Sequence, residues 1–258
     1  MKFNKIAIYV LAAGLGKRMK SNKAKVLHEI LGKPMVNYVL DTAVSLAGSN
    51  VYVIVGYQSD IVRYSIEKYY NVQFVQQSSQ MGTGHAVSCA LPFLNDEIEH
   101  VVILCGDTPL ITRYTIEMLI NTHLESQNDL TVLTVKMKNP IGYGRILFSN
   151  ENQIEAIIEE SDVSEIQRKI NIVNTGIYCV EKSFLHEAIG TLTTDNAQQE
   201  MYLTDIVAIG FYKNKTINAV LVEDSNEMMG VNTREDLFHA EMLMQLKLSK
   251  NLDFNNLP

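Results

Sequence analysis

The sequence predicts an α/β fold of Rossmann-like type: a mixed, mostly parallel sheet with helices on both faces. Three observations carry this reading. Short apolar runs alternate with segments of helical period through the first half of the chain. Several of those runs end in polar loops that contain glycine. The second half adds a hairpin pattern, which makes the sheet mixed. With 258 residues, 47% of them hydrophobic, the chain can bury a substantial core. It reads as one domain over 1–250, with 140–232 as a second lobe of that domain and 251–258 as a polar tail.

In chain order, 6–11 is wholly apolar and reads as a first strand. Apolar pairs at Met35-Val36, Val39-Leu40 and Ala43-Val44 recur at helical spacing, and Pro34 suits a first turn. A second strand spans 51–55 and is closed by Gly56; a helix spans 61–70 and a third strand 72–75. Residues 84–91 read as a helix stopped by Pro92, and 101–104 as a fourth strand ended by Gly106-Asp107. Thr112 is the expected N-cap of a helix running to 125, and 130–135 is a fifth strand. Runs at 145–148 and 154–158, separated by Ser149-Asn150-Glu151-Asn152, predict the hairpin. A short polar helix is expected at 163–169, a strand at 172–180, helices at 185–189 and 201–211, and a last strand at 217–222. From 233 to about 249 the pattern is a long amphipathic helix, its Met and Leu stripe expected to pack into the core.

Composition excludes several roles. The net charge of −7 argues against a general nucleic-acid binder, whose footprint is basic. Three scattered cysteines indicate neither a disulfide framework nor a zinc site, and suit a reducing cytoplasm. No run approaches the roughly 18 apolar residues of a membrane span. Oligomeric state is not legible.

Ligands of open parallel sheets sit outside the carboxyl ends of the strands. The loop after the first strand, Leu11-Ala12-Ala13-Gly14-Leu15-Gly16-Lys17-Arg18, is first small and then basic, with Lys25 beyond it. Small residues admit backbone N–H groups close to a ligand, and basic ones neutralise phosphates, so the loop reads as a nucleoside triphosphate site. A dinucleotide fingerprint fails because Met19 stands where a third glycine belongs, and no P-loop spacing follows Gly14. After the fourth strand comes Cys105-Gly106-Asp107, read as part of the same site. A carboxylate in that place suits Mg²⁺ held against phosphate oxygens, with a helix cap or turn before Pro109 as the plain alternative. Gln77 and the Gly82-Thr83-Gly84 turn follow the third strand; a Gln amide suits the edge of a pyrimidine. His85 is read as a helix N-terminal residue with no catalytic role.

Taken together, Leu11-Ala12-Ala13-Gly14-x-Gly16-x-Arg18-Met19, Lys25-Val26-Leu27, Gly32-Lys33-Pro34-Met35, Gln80-x-Gly82-Thr83-Gly84-His85-Ala86, Gly106-Asp107-x-Pro109-Leu110, Gly142-Tyr143-Gly144-Arg145-Ile146, Asn174-Thr175-Gly176 and Gly230-Val231-Asn232-x-Arg234 occur in one order. This set resembles the uridylyltransferase domain of bacterial bifunctional N-acetylglucosamine-1-phosphate uridylyltransferase/glucosamine-1-phosphate acetyltransferase. The likeness spans about 5–245 and lacks the hexapeptide repeats of the acetyltransferase half, so acetyl transfer is not implied. It implies transfer from UTP to N-acetylglucosamine 1-phosphate, giving pyrophosphate and UDP-N-acetylglucosamine, the latter a precursor of cell walls. It implies that the backbone of Leu11, Ala12, Ala13 and Gly14 and the side chains of Arg18 and Lys25 hold the triphosphate, the two cations being catalytic. Gln77, Gly82 and Thr83 are implied at the uracil, Gly144, Glu159 and Asn174 at the sugar, and Asp107 and Asn232 at Mg²⁺. The expected partners are therefore these small molecules, with neither nucleic acid nor membrane. Four positions depart from the family's pattern: Leu15 replaces Lys, Lys17 replaces Thr, Ala24 replaces Pro, and Ser161 replaces Lys. Two rivals stay open at this point: a related transferase using another nucleotide or another sugar or polyol phosphate, and a non-catalytic nucleotide-sugar binder on the same scaffold.

Overall fold

The computed structural model describes residues 3–254. The chain runs β1 (Ile6–Ala12), a short hairpin of β2 (Glu29–Ile30) and β3 (Lys33–Pro34), α1 (Met35–Ala47), β4 (Val51–Val55), α2 (Ser59–Glu67), β5 (Gln73–Gln76), α3 (Thr83–Ala90), β6 (His100–Cys105), α4 (Arg113–Glu125) and β7 (Leu130–Lys136). It continues with β8 (Arg145–Phe148), β9 (Ile154–Ile158), β10 (Ile172–Glu181), α5 (Lys182–Ile189), α6 (Asp205–Tyr212), β11 (Ile217–Val222) and α7 (Arg234–Phe254).

Strands β11-β7-β10-β6-β1-β4-β5 lie side by side in that order, with β8 and β9 attached beside β10. β1 pairs in parallel with β4 on one side and β6 on the other, and β5 extends the block beyond β4. β10 is the antiparallel strand, wedged between β6 and β7, while β11 returns parallel to β7. The mixed, mostly parallel sheet is therefore as the sequence predicts. After β1 the chain builds outward through β4 and β5, then comes back to lay β6 on the other edge of β1. The connections leaving β1 and β6 diverge, and a crevice opens at their carboxyl ends.

The period-2 alternation of β1 divides the core. Ile6, Ile8, Val10 and Ala12 pack with α1, α2 and α4, whereas Ala7, Tyr9 and Ala13 pack with α3, α5 and α6. A smaller cluster joins Ile30 and Met35 to Val231 and to Ala240 and Met244 of α7. This cluster docks α7 beside the hairpin and sets its first turn over the crevice.

Three expectations are corrected. The polar helix at 163–169 is only a 3₁₀ turn, Gln167–Lys169. None of its residues is buried, and the Ser164 N–H and hydroxyl both donate to Gln167 Oε1, so a side chain takes the place of a helical ladder. The apolar stripe of α7 is only partly core: Ala240 and Met244 are buried, but Phe238, Met242 and Leu246 are exposed. α7 also runs on to Phe254, past the expected end of the helix. Of the expected tail, 255–258 lie outside the described residues. The strand expected at 172–180 is interrupted at Asn174-Thr175-Gly176: the pairing of β10 with β7 slips between Asn174 and Tyr178, and Gly176 adopts φ +76°.

One buried polar cluster makes the fold acid-sensitive. His123 of α4 is fully buried, with Nδ1 2.9 Å from Thr131 Oγ1 and Nε2 3.1 Å from His100 Nδ1. Burial, reinforced by the neighbouring His100, lowers its pKa from 6.5 to about 4. The folded state therefore keeps His123 neutral while the unfolded chain takes up a proton. The contribution of neutral His123 to stability is complete above pH 6.5 and is lost as pH falls through that value toward about 4. Denaturant unfolding at pH 7.5 and pH 5 should show a lower midpoint in acid, and His123→Gln should shrink that difference. An unchanged pH dependence in the variant would refute the assignment.

Candidate active site

At the crevice, a cavity of about 520 Å³ is lined by Leu11, Ala12, Ala13, Gly14, Arg18, Lys25, Gln77, Gly82, Thr83, Cys105, Asp107 and Asn232, together with Leu15, Gly16, Lys17, Val26, Gln80, Ala86 and Glu200. The three strand-end loops singled out from sequence thus meet in one place. A hollow of about 730 Å³ lies elsewhere, between the β8–β9 turn and the start of β11. Its cation, Lys215, is already paired with Asp129.

The loop after β1 is shaped by close packing. Gly16 has φ +63°, and a Cβ there would stand 2.6 Å from Lys25 Cβ, so the missing side chain lets Lys25 tuck beneath the loop. Gly14 is the opposite case: a Cβ built on it meets nothing within 4 Å. Its backbone faces open cavity, the arrangement that admits a phosphate. Ala24 sits at φ −52°, ψ 135°, an extended geometry that proline also adopts. Its N–H donates to Gln58 Oε1 at 2.8 Å, and Gln58 Nε2 donates to the Asn22 carbonyl at 2.7 Å. Gln58 thereby clamps the turn that delivers Lys25.

Four charged or amide groups converge. Lys25 Nζ is ion-paired with Asp107 and donates to Asn232 Oδ1 at 2.6 Å. Arg18 Nη2 donates to the same Oδ1 at 2.8 Å. Asn232 is delivered by α7. The Val231 N–H donates to the Asp107 carbonyl at 2.8 Å, and the Asn232 and Thr233 N–H groups donate to Asp236 Oδ2 at 2.9 and 2.8 Å. Thr233 Oγ1 in turn accepts the Asp236 N–H at 3.1 Å, which completes a reciprocal cap.

Asp107 and Asn232 thus present two hard oxygens to one cation, here the Lys25 ammonium. Among the described residues no cluster of three or more His, Cys, Asp or Glu side chains could hold a metal alone. A divalent ion bound here would complete its shell with phosphate oxygens and water, as Mg²⁺ does, so the donor set fits that ion. Cys105, beside them, is pushed up to about 12 by burial, with Asp107 raising it further. It is a neutral thiol that reaches the Gly176 carbonyl at 3.5 Å, not a nucleophile.

At the far end, Gly82 takes φ +102°, and a Cβ there would stand 2.6 Å from the Met201 carbonyl. The turn is tied down by Gly84 N–H to Met201 O at 2.8 Å, Met201 N–H to Met81 O at 2.8 Å, and Leu203 N–H to Thr83 Oγ1 at 3.1 Å. The Thr83 hydroxyl therefore holds the turn as an acceptor. Glu200, brought to the cavity by this seam, was not anticipated; a lone Glu in a polar loop carries no sequence signal.

Four expected residues lie outside the cavity lining. Gly106 donates its N–H to the Leu11 carbonyl at 2.9 Å, and there is no room for a side chain between them. Asn174 bonds through its N–H to the Gly144 carbonyl at 2.9 Å and through Nδ2 to Tyr178 Oη at 2.8 Å. Glu159 accepts from Thr204 Oγ1 at 3.0 Å, and burial raises its pKa. The sugar-side positions Gly144, Asn174 and Glu159 thus lie beside the cavity rather than in its wall. Ser161 joins a polar cluster there, donating to Asp162 Oδ2 at 2.8 Å.

Residues 8–172 match the model of the MobA-like NTP transferase domain. The chain is 42% identical over 247 residues to the bifunctional protein GlmU of Pelobacter propionicus, covering 96% of this chain and 54% of that protein. It is 43% identical over 249 residues to the GlmU of Geotalea uraniireducens, with coverage of 96% and 54%. Against the GlmU of Shouchella clausii it is 42% identical over 241 residues, covering 93% and 53%. The chain spans about half the length of the curated relatives it matches.

The contrast between the two loop glycines is testable. Gly14→Ala should leave the thermal midpoint nearly unchanged yet weaken nucleoside triphosphate binding by roughly tenfold, because the methyl projects into open cavity. Gly16→Ala should lower the midpoint as well, through its positive φ and its collision with Lys25. A Gly14→Ala protein that binds triphosphates as the parent does would remove the loop from the binding site.

Proposed function

This chain belongs to the MobA-like NTP transferase domain family and is a nucleotidyltransferase; from that premise we propose that it transfers the uridylyl group of UTP to N-acetylglucosamine 1-phosphate, with Mg²⁺. The observation that carries the proposal is the meeting of Arg18, Lys25, Asp107 and Asn232 in the cavity that also holds the open Gly14 backbone and the buried Gln77 amide.

In the proposed reaction a phosphate oxygen of the sugar phosphate attacks the α-phosphorus of UTP. A P–O bond forms there, and the bond from the α-phosphorus to the bridging oxygen of pyrophosphate breaks. The attacking oxygen is already ionised at neutral pH, so no general base is needed. Repulsion between two anions and charge building on the leaving pyrophosphate oppose the step, and positioned cations counter both. Arg18 and Lys25 supply two of them on the triphosphate side. Asp107 and Asn232 are the residues that would hold Mg²⁺, which when bound neutralises phosphate oxygens as a Lewis acid. Gln77 and the Gly82-Thr83 turn bound the end of the cavity proposed for the base. Gly144, Glu159 and Asn174 belong to the lobe proposed for the sugar, where the Glu159 carboxylate offers an acceptor to a hydroxyl. The bifunctional GlmU relatives support this reading over the non-catalytic one, and Arg18, Lys25, Asp107 and Asn232, the positions the resemblance implies for the triphosphate and Mg²⁺, are all present here.

Pyrophosphate release measured across the common nucleoside triphosphates and a panel of sugar 1-phosphates, with and without Mg²⁺, tests the proposal. Release should be greatest with UTP, N-acetylglucosamine 1-phosphate and the metal together. Asp107→Ala and Lys25→Ala should each lower turnover by about 100-fold or more, the scale of one preorganised charge contact. Near-normal turnover in both folded variants, or release that favours another pair of substrates, would overturn it.

A further inference from the structure

Gln77 is 3% exposed and lines the cavity, and its amide nitrogen has two partners. Nε2 lies 3.1 Å from the Gly82 carbonyl oxygen and 3.1 Å from His85 Nδ1. A carbonyl oxygen only accepts, so the amide must turn its nitrogen toward it. The same nitrogen then meets Nδ1, which has to accept as well. His85 is therefore neutral with its proton on Nε2, and that nitrogen faces Cys89 Sγ at 3.8 Å. Burial raises the Cys89 thiol pKa, leaving a neutral sulfur able to accept weakly. Both amide hydrogens of Gln77 are thus engaged, and no hydrogen bond among the described residues reaches Oε1.

We propose that His85 is a positioning residue for base selection: by accepting from Gln77 Nε2, it makes Gln77 an acceptor-only probe of the nucleobase. Uracil carries a ring N–H at N3, which such an oxygen accepts. Cytosine carries a lone pair at that position, which the oxygen repels, so the cavity discriminates by rejection as well as attraction. The inference rests on the reading that this cavity takes a pyrimidine nucleotide and adds the group that sets the polarity of recognition. His85 itself touches neither the base nor the reacting atoms.

Three measurements on the full chain test this. The imidazole ¹⁵N shifts, with His85→Asn used to assign its signals, should show His85 as the Nε2–H tautomer; an Nδ1–H tautomer overturns the proposal. Equilibrium binding of UTP and CTP should favour UTP in the parent, and a parent without that preference overturns it too. In His85→Leu, which offers no acceptor, the UTP-over-CTP ratio in binding and in kcat/KM should fall about tenfold, the scale of a buried amide hydrogen losing its partner. The change should lie mainly in KM, with kcat held within a few-fold. His85→Asn places an oxygen near the site of Nδ1 and should keep the ratio. A ratio unchanged in His85→Leu, or lost equally in both variants, sinks the inference. UTP-selective binding without product from N-acetylglucosamine 1-phosphate would instead sink the proposed reaction and leave this inference standing.

Discussion

Lys25 is held between two oxygens that reach it from distant parts of the chain: the Asp107 carboxylate, 82 positions away, and Asn232 Oδ1, 207 positions away. Its side chain is only 13% exposed, so it needs those partners; a largely buried ammonium without them would be strongly destabilising. Much of the local architecture answers that need. Gly16 gives up a side chain so that the stem of Lys25 can pass. β6 ends two residues before Asp107, whose carboxylate meets Lys25. The reciprocal cap of Thr233 and Asp236 fixes the turn that offers Asn232. One ion pair thus fastens the loop after β1, the end of β6 and the start of α7.

The chain carries a net charge of −7, yet three basic side chains, Lys17, Arg18 and Lys25, border one cavity. Net charge describes the whole surface, whereas a cleft with low-dielectric walls concentrates the field of the few charges inside it. Of the acids near this cluster, Glu200 also borders the cavity, and two others are engaged elsewhere or paired. Asp107 is paired. Glu159, further off, bonds Thr204 and is pushed toward its neutral form by burial. Cys105 remains a thiol. An electrostatic site of this kind asks nothing of a base or nucleophile, which agrees with transfer between substrates that bring their own ionised oxygen.

The parallel core was legible because its signals are local. Buried strands such as β4 are continuous apolar runs, and Thr112 caps α4 as its position suggests, accepting the Thr115 N–H. The strand-end loops were legible for a topological reason: in a parallel sheet they meet at one edge whatever their spacing in sequence. What escaped has no local signature. Gln58 lies in a helix-entry turn far from any motif, and Glu200 reaches the cavity only through the backbone seam between the Gly82 turn and Met201. His85 is plain at the N-terminus of α3 until its ring is seen against Gln77. The exposed apolar side of α7 escaped too, because periodicity reports which residues share a face and not what that face meets.

The departures from the resembled family make the same point about constraint. A proline before Lys25 would restrict the backbone through its ring, at the expense of an N–H. Ala24 keeps an extended conformation that proline could adopt, and its restored N–H is taken by Gln58. The restraint has moved from a covalent ring to a hydrogen bond anchored in a residue of left-handed backbone, φ +53°. Likewise the basic residue absent at Leu15 stands at Lys17, and both border the cavity. Point by point, such changes read as losses. In space the change at Ala24 exchanges one means of holding the Lys25 turn for another, because the geometry constrains where charge and backbone stand, not which residue puts them there.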